Sequence, residues 1–517
     1  MGKKIRFAGI LLHPTSLSGG DGIGDLGKNS YRFVDFLADT KVGLWQILPL
    51  GPVGFGNSPY ASRSSFAGNE LLINLDFLAD KKYLSLEQIE QELLPNTSKV
   101  DFESVANYKY PLLVKAANSF IKNALDKDRK LYERFCAEQS HWLEDYALFQ
   151  SVSEHYQDSR WFLVWDKNLA KRDKTALEDW KKEQFLEVEV YKVLQFFFHN
   201  QWHELKAYAN KKGVAIVGDL PIFVAHDSAD AWANQDLLKL DKEGHLKVSS
   251  GVPPDAFSVT GQLWGNPLYD WAKMEKEEFK WWISRLESQF RQTDIVRIDH
   301  FRGFEAYWEV PATEKTAEKG RWVKAPGQKL FEKLRKEFKN LAVIAEDLGV
   351  ITKEVELLRD SNNLPGMKIV QFAFDFNKDG SLKTSNSYLP HNYDENCVAY
   401  TGTHDNDTTV GWYSKLDERL KDLIRRYLSC DDYSVVWHLM RSVMASSAQI
   451  AILPMQDLLA LDSDSRMNKP GTCGDPNWAW RLTDNQLNDE IKWRLKEISQ
   501  IFGRDGSYKD VKELFKI

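Results

Sequence analysis

The sequence predicts an α/β protein built on a (β/α)8 TIM barrel, with large inserted helical subdomains and no C-terminal all-β domain. Three observations carry this. Eight strand-length runs rich in Val, Ile, Leu and Phe recur along the 517 residues. Helical patterns fill most of the gaps between them. Acidic and imidazole side chains gather at the C-terminal ends of the runs, the face on which such barrels carry their sites.

In chain order the runs are RFAGILL (6–12), GLWQILPL (43–50), VAIVGDL (214–220) and DIVRID (294–299). LAVIAED (341–347), KIVQFAF (368–374), CVAYTGT (397–403) and AQIAILP (448–454) complete the set. None alternates cleanly between apolar and polar, which is how strands buried on both faces read. The gap from 51 to 213 is too long for one crossover. It contains LSLEQIEQELL (84–94) and ALEDWKKEQFLEVEVYKVL (176–194), so an inserted helical subdomain is expected at about 70–190. A second insertion, about 225–290, carries the Pro/Gly-rich loop SSGVPPDAFSVTGQLWGNP (249–267). The gap from 375 to 396 has little room for a helix, and the tail through LNDEIKWRLKEISQIF (487–502) reads helical. Residues 1–517 are thus expected to form one catalytic barrel with two insertions.

Composition bounds the function. With 43% hydrophobic and 28% charged residues the chain reads as soluble and globular. Its 68 basic and 75 acidic residues give a formal charge of −7, with no basic block, which argues against nucleic-acid and membrane partners. The four cysteines form no CxxC pair or disulfide framework, as in a reducing compartment. The start, MGKKIRFAGILLHP, has too short an apolar run for a signal peptide and no small-residue cleavage site. No stretch approaches the roughly 18 apolar residues of a membrane span. A cytoplasmic location is expected. The 18 tryptophans suit a sugar-binding cleft, although Trp is also an ordinary large core residue.

The stretch RIDHFRG (297–303) places Arg297, Asp299, His300 and Arg302 at the tip of a core strand. Buried charges are costly unless paired. Asp219, Asp299, Glu346 and the pair His404/Asp405 all fall at or just beyond the ends of runs. Asp299 and Glu346 stand on neighbouring strands about 4.8 Å apart. That spacing suits the ~5–5.5 Å carboxylate separation of retaining glycosidases. One carboxylate would be the nucleophile and the other the acid, their pKa values pushed apart by environment. Arg297, two residues before Asp299 and on the same side of the strand, is placed to keep that carboxylate ionised.

RIDHFRG, AEDLG (345–349) and YTGTHDND (400–407) together resemble the catalytic blocks of amylomaltases, the 4-α-glucanotransferases also called disproportionating enzymes. FGNSPYASRSSFAGN (55–69), GDLPIFVAHDSADAW (218–232), GVPPDAFSVTGQLWGNPLYDW (251–271) and SRMNKPGT (465–472) extend the resemblance, in family order, from near the N-terminus to beyond residue 470. The resemblance implies that Asp299 is the nucleophile, Glu346 the general acid/base, and Asp405 the residue that holds the 2- and 3-hydroxyls of the distorted sugar. It implies supporting roles for Arg297 and His404, a sugar contact for Asp219, aromatic contacts from Tyr60 and Trp264, and substrate contacts from Ser58 and Asn468. Phe55 stands near where some members carry a tyrosine of a second glucan site. The implied partners are malto-oligosaccharides and amylose, with glucose or maltose as acceptor. No cofactor or metal is implied, and a monomer or weak homo-oligomer is expected.

Other readings of the same residues stay open at this point. A hydrolytic α-amylase-like enzyme would use the same carboxylates, usually with an all-β domain after the barrel. A metal-dependent barrel hydrolase would use Asp299, His300, Glu346, His404 and Asp405 as ligands, but Arg297 and Arg302 beside them would weaken a cation's binding. A glycan-binding protein without activity would have no use for an acid and nucleophile pair. GIGDLG (22–27) fits a dinucleotide-loop pattern but lacks the preceding strand and the later acid. His199 and His203 have zinc-helix spacing with the glutamate misplaced. NTS (96–98) matches a glycosylation acceptor, which has no meaning in a cytosolic chain.

Overall fold

The computed structural model describes residues 5–19, 21–90, 93–254 and 258–516. Residues 91 and 92 of the 84–94 stretch, and 255–257 of the 249–267 loop, lie outside the described residues, as do the first four residues.

Each of the eight runs is a strand. They are β1 (Phe7–Leu11), β2 (Leu44–Gln46), β3 (Ala215–Leu220), β4 (Ile295–Ile298), β5 (Val343–Ala345), β6 (Gly366–Ile369), β7 (Cys397–Tyr400) and β8 (Ile450–Pro454). All seven pairings in the sheet are parallel, in the spatial order β6-β7-β8-β1-β2-β3-β4-β5. The Ala345 N–H donates to Pro365 O at 2.9 Å, bringing β5 against β6 and closing the barrel. The apolar runs explain the closure, because almost every strand residue is buried. Gly9 lets β1 sit tightly, since a Cβ there would lie 2.9 Å from Ile452 Cγ1.

Helices cover the barrel in most gaps. Lys28–Asp39 follows β1, Phe185–Lys211 precedes β3, and Lys280–Gln292 precedes β4. Gly327–Glu337, Lys353–Ser361 and Val435–Ala445 precede β5, β6 and β8, and Asp489–Ile501 follows β8. Between β6 and β7 the described residues form short 3-10 turns, Val370–Phe372 and Pro390–Asn392, and one isolated bridge between Phe376 and Leu382, with no α-helix. The long connection from β2 to β3 holds Phe102–Asn123, Asp126–Glu138 and Leu143–Tyr156, among shorter helices. Side-chain oxygens of Asn74, Asp101 and Asp173 cap helix starts in this region. After Pro454 the described residues hold helices and no strand.

One element departs from expectation. The Pro/Gly-rich segment read as a loop at 249–267 contains two strands, Val248–Val252 and Gln262–Pro267. They join Ala306–Pro311 and Arg321–Lys324 in a four-stranded antiparallel sheet beside the barrel. Each half is a local antiparallel pair, and the two halves come from the connections on either side of β4 and join across it. GIGDLG, for its part, is a tight loop ahead of the first barrel helix. A Cβ at Gly24 would lie 2.0 Å from Pro14 O.

Candidate functional site

The strand register sets the site. Asp219 on β3 pairs with Arg297 on β4, and Ile298 on β4 pairs with Ala345 on β5. Asp299 and Glu346 therefore each stand one residue past paired strand ends. The Asp299 N–H donates to Leu220 O at 2.9 Å, and the Glu346 N–H to Ile298 O at 3.1 Å, so neither tip is a free loop.

Arg297 divides its fork. Nη1 donates to both Asp219 oxygens at 2.8 and 2.7 Å, while Nη2 donates to Asp299 Oδ1 at 3.0 Å. Burial works against its charge, but Asp219 and Asp299 hold its pKa well above the ordinary arginine value. Asp299 is pushed up to about 8, by burial first, against the pull of Arg297 and with Glu346 and Asp219 adding to the rise. Arg297 is placed beside Asp299 as expected, but it shares its fork with Asp219. Glu346 is also raised, by burial first. It is opposed by Arg297 and by the backbone N–H groups of Leu348 and His300, at 2.8 and 2.7 Å. His300 presents its N–H from a left-handed conformation, φ 53°, an uncommon geometry for a non-glycine residue.

A second chain of contacts faces this pair. Tyr60 Oη donates to Asp219 Oδ2 at 2.7 Å, and its ring stacks on His404 with centroids 5.0 Å apart. His404 Nε2 lies 3.5 Å from Asp405 Oδ1. Burial lowers the His404 pKa, with Asp405 opposing, so the imidazole is neutral at neutral pH. Asn468 Nδ2 donates to Asp405 Oδ1 at 2.7 Å, and its own N–H donates to His404 O. Ser58 sits behind Tyr60, its Oγ accepting from the Tyr60 N–H at 3.2 Å. Trp264 meets His300 edge-on at 4.8 Å. The residues predicted from sequence therefore converge on one cleft, while Phe55 stands 79% exposed.

Three contributors escaped the sequence reading. Arg466 donates to Asp405 O, and Trp478 packs on Tyr60 and His404. Arg466 lies inside SRMNKPGT, so the motif pointed to it without giving it a task. Trp478 lies beyond that motif, and the N–H groups that hold Glu346 belong to the backbone, so no residue pattern marks either.

Among the described residues no group of three or more His, Cys, Asp or Glu side chains converges as a metal site. Asp299, Asp405 and Glu346 are instead engaged by Arg297, Asn468 and backbone N–H groups. His199 and His203 rings lie 3.9 Å apart, tilted by 35°, on the long helix before β3, with His203 Nδ1 2.8 Å from His199 O.

Comparison with known proteins gives the same direction. The model of a family described as 4-alpha-glucanotransferase matches residues 12–487. The chain is 48% identical, over 503 residues, to a 4-alpha-glucanotransferase of Synechocystis sp., covering 96% of this chain and 98% of that protein. It is 47% identical to one of Thermus thermophilus, with coverage of 96% and 98%. Its structure superposes on an amylomaltase from Streptococcus agalactiae in complex with acarbose with a TM-score of 0.92, at 38% identity and coverage of 96% and 99%. By sequence, fold and the arrangement at the barrel mouth, the chain belongs to the 4-alpha-glucanotransferase family.

Proposed function

We propose that this 4-alpha-glucanotransferase moves α-1,4-glucan segments between malto-oligosaccharides by retaining double displacement through a covalent glucosyl-Asp299. The observation that carries this reading is the pair of adjacent strand-end carboxyls, both raised in pKa, with Arg297 bonded to one of them. Repulsion and burial disfavour two charges there, so at neutral pH the pair is disposed to share one proton.

In this reading Glu346 donates its proton to the glycosidic oxygen while Asp299 attacks the anomeric carbon from the opposite face. The glycosidic bond breaks, the Asp299–glucosyl bond forms, and the leaving chain departs with a free hydroxyl. Glu346, now ionised, takes the proton of an acceptor hydroxyl, which attacks the glucosyl carbon and frees Asp299. Asp405, steadied by Asn468 and His404, holds the 2- and 3-hydroxyls where charge develops on the ring. Asp219 and Tyr60 bind the same sugar, and Trp264 offers an aromatic face. Glucose, maltose or a longer glucan serves as acceptor, and the whole chain acts as one catalytic unit in a cytoplasmic setting, in keeping with four free cysteines.

Maltotriose incubated with the pure protein and EDTA tests the reading. The expected outcome is a ladder of longer and shorter glucans plus glucose, with the number of reducing ends constant. A rising count of reducing ends would make the enzyme a hydrolase, and inhibition by EDTA would bring back the metal reading. Glu346→Gln given a maltosyl fluoride, whose leaving group needs no acid, should trap a glycosyl mass on the Asp299 peptide; a mass on another residue would overturn the assigned nucleophile.

A further inference from the structure

Arg302, the last charge of RIDHFRG, has no place in the chemistry above. It is buried, yet Glu305, the carboxylate that acts on its charge, is engaged by Lys324, and its Nε lacks a hydrogen-bond partner. Its Nη1 donates to Val350 O, four residues beyond Glu346 on the same loop. The flat face of the guanidinium lies 3.6 Å from the centre of the Trp322 ring, a close cation–π stack. Trp322 sits on the strand Arg321–Lys324, at one edge of the antiparallel sheet. Trp264 sits on the opposite edge strand and touches His300. Three strand spacings separate those edges, about 14 Å.

Exposed apolar side chains on this flank include Leu263, Trp264, Trp322 and Val350. A charge buried without a carboxylate pair is costly, and here it holds a half-exposed indole beside the loop that carries the acid. A general acid stands on the leaving-group side of the scissile bond, and the acceptor later enters where the leaving chain departed.

We propose that Trp322, propped by Arg302, is a binding platform for the acceptor glucan, stacking on a pyranose ring beyond the one next to the scissile bond. This rests on the transferase reading and deepens it by placing the acceptor path along the antiparallel sheet. Arg302 is a positioning residue that fixes the ring and the Val350 loop together. The platform favours acceptors of two or more units, because a lone glucose occupies only the place beside Glu346.

The test uses maltotriose as donor and compares labelled glucose with labelled maltotriose as acceptor, for the wild type, Trp322→Ala, Trp322→Phe and Arg302→Met. Trp322→Ala should lower kcat/KM for the maltotriose acceptor about five- to tenfold, the size of one lost aromatic contact. The loss should appear in KM, while incorporation of glucose stays within about twofold. Trp322→Phe should restore most of the difference, and Arg302→Met should reproduce the alanine variant in part. Equal losses with both acceptors would mean a structural role, and no loss with either would place Trp322 off the acceptor path; each overturns the proposal. A wild type that incorporates neither label would instead remove the transferase reading, and the platform with it.

Discussion

Arg297 has two carboxylates to serve and one guanidinium with which to do it. Asp219 takes two of its three bonds to carboxylates, and Asp299 keeps one at 3.0 Å. Burial therefore wins at Asp299 and lifts its carboxyl to about 8. A nucleophile must be ionised, so the acid limb of kcat/KM should lie above the ordinary carboxylate range, with activity falling as pH falls through it. Arg297→Met removes the cation that pulls the value down, so that limb should move further up; a limb that stays or moves down would refute the assignment. The same shift has a thermodynamic consequence. A folded pKa above the ordinary 3.8 means that the folded state binds the proton more tightly. The stability linked to that proton is complete at low pH and is lost as pH rises toward and through about 8. Asp299→Asn should thus be inactive, with a melting temperature that gains on the wild type between pH 4 and pH 8. A difference that does not change with pH would show that the folded state places no strain on this charge.

Among elements, the barrel was legible because parallel strands buried on both faces write themselves as unbroken apolar runs. All eight runs, from RFAGILL to AQIAILP, became strands, and their charged ends became the cleft. The antiparallel sheet was not legible. Val248–Val252 has a half-exposed start and end, Gln262–Pro267 is largely exposed, and the other half of the sheet lies beyond β4 in sequence. Gly and Pro in that stretch lower strand propensity, and pairing across a barrel strand leaves no local signal. The local bonds that hold Glu346 were hidden for a related reason: they come from backbone N–H groups, that of Leu348 two residues on and that of His300 at its left-handed turn, which no residue type specifies. The sheet also carries Trp264 to His300, so the strand Gln262–Pro267 reaches the barrel mouth. Side chains that close over a site exclude water from a reactive intermediate. Replacing the 249–267 stretch by a short linker should raise the ratio of hydrolysis to transfer, measured as new reducing ends per transfer event. An unchanged ratio would leave exclusion of water to the cleft walls alone.

The whole molecule divides its work between the two ends of the barrel, with chemistry at the C-terminal ends of the strands and closure at the other. Arg504 shows how the far end is held. It is fully buried, and burial lowers its pKa to about 9. Its Nε donates to Met444 O, Nη1 to Phe7 O and Gln449 O, and Nη2 to Ser446 O and Ala448 O. Ala8 returns a bond from its N–H to Arg504 O, and Tyr508 N–H donates to Gly213 O. One tail residue thus ties β1 to the segment entering β8 through backbone carbonyls. Arg504→Met removes five donations, each worth about 0.5–1.5 kcal/mol net, although Met444 O and Ser446 O keep a bond from Arg6 Nη2 and Gln449 O keeps one from the Phe7 N–H. It also relieves the cost of a buried guanidinium, so the net loss should be roughly 2–4 kcal/mol. Unfolding 517 residues carries an entropy of about 1.1 kcal/mol per kelvin. The melting temperature should accordingly fall by roughly 2–4 °C, while kcat and KM on maltotriose, measured well below melting, stay at wild-type values. If kcat falls together with the melting temperature, the floor and the mouth are coupled through the strands, and the division of labour between the two ends does not hold.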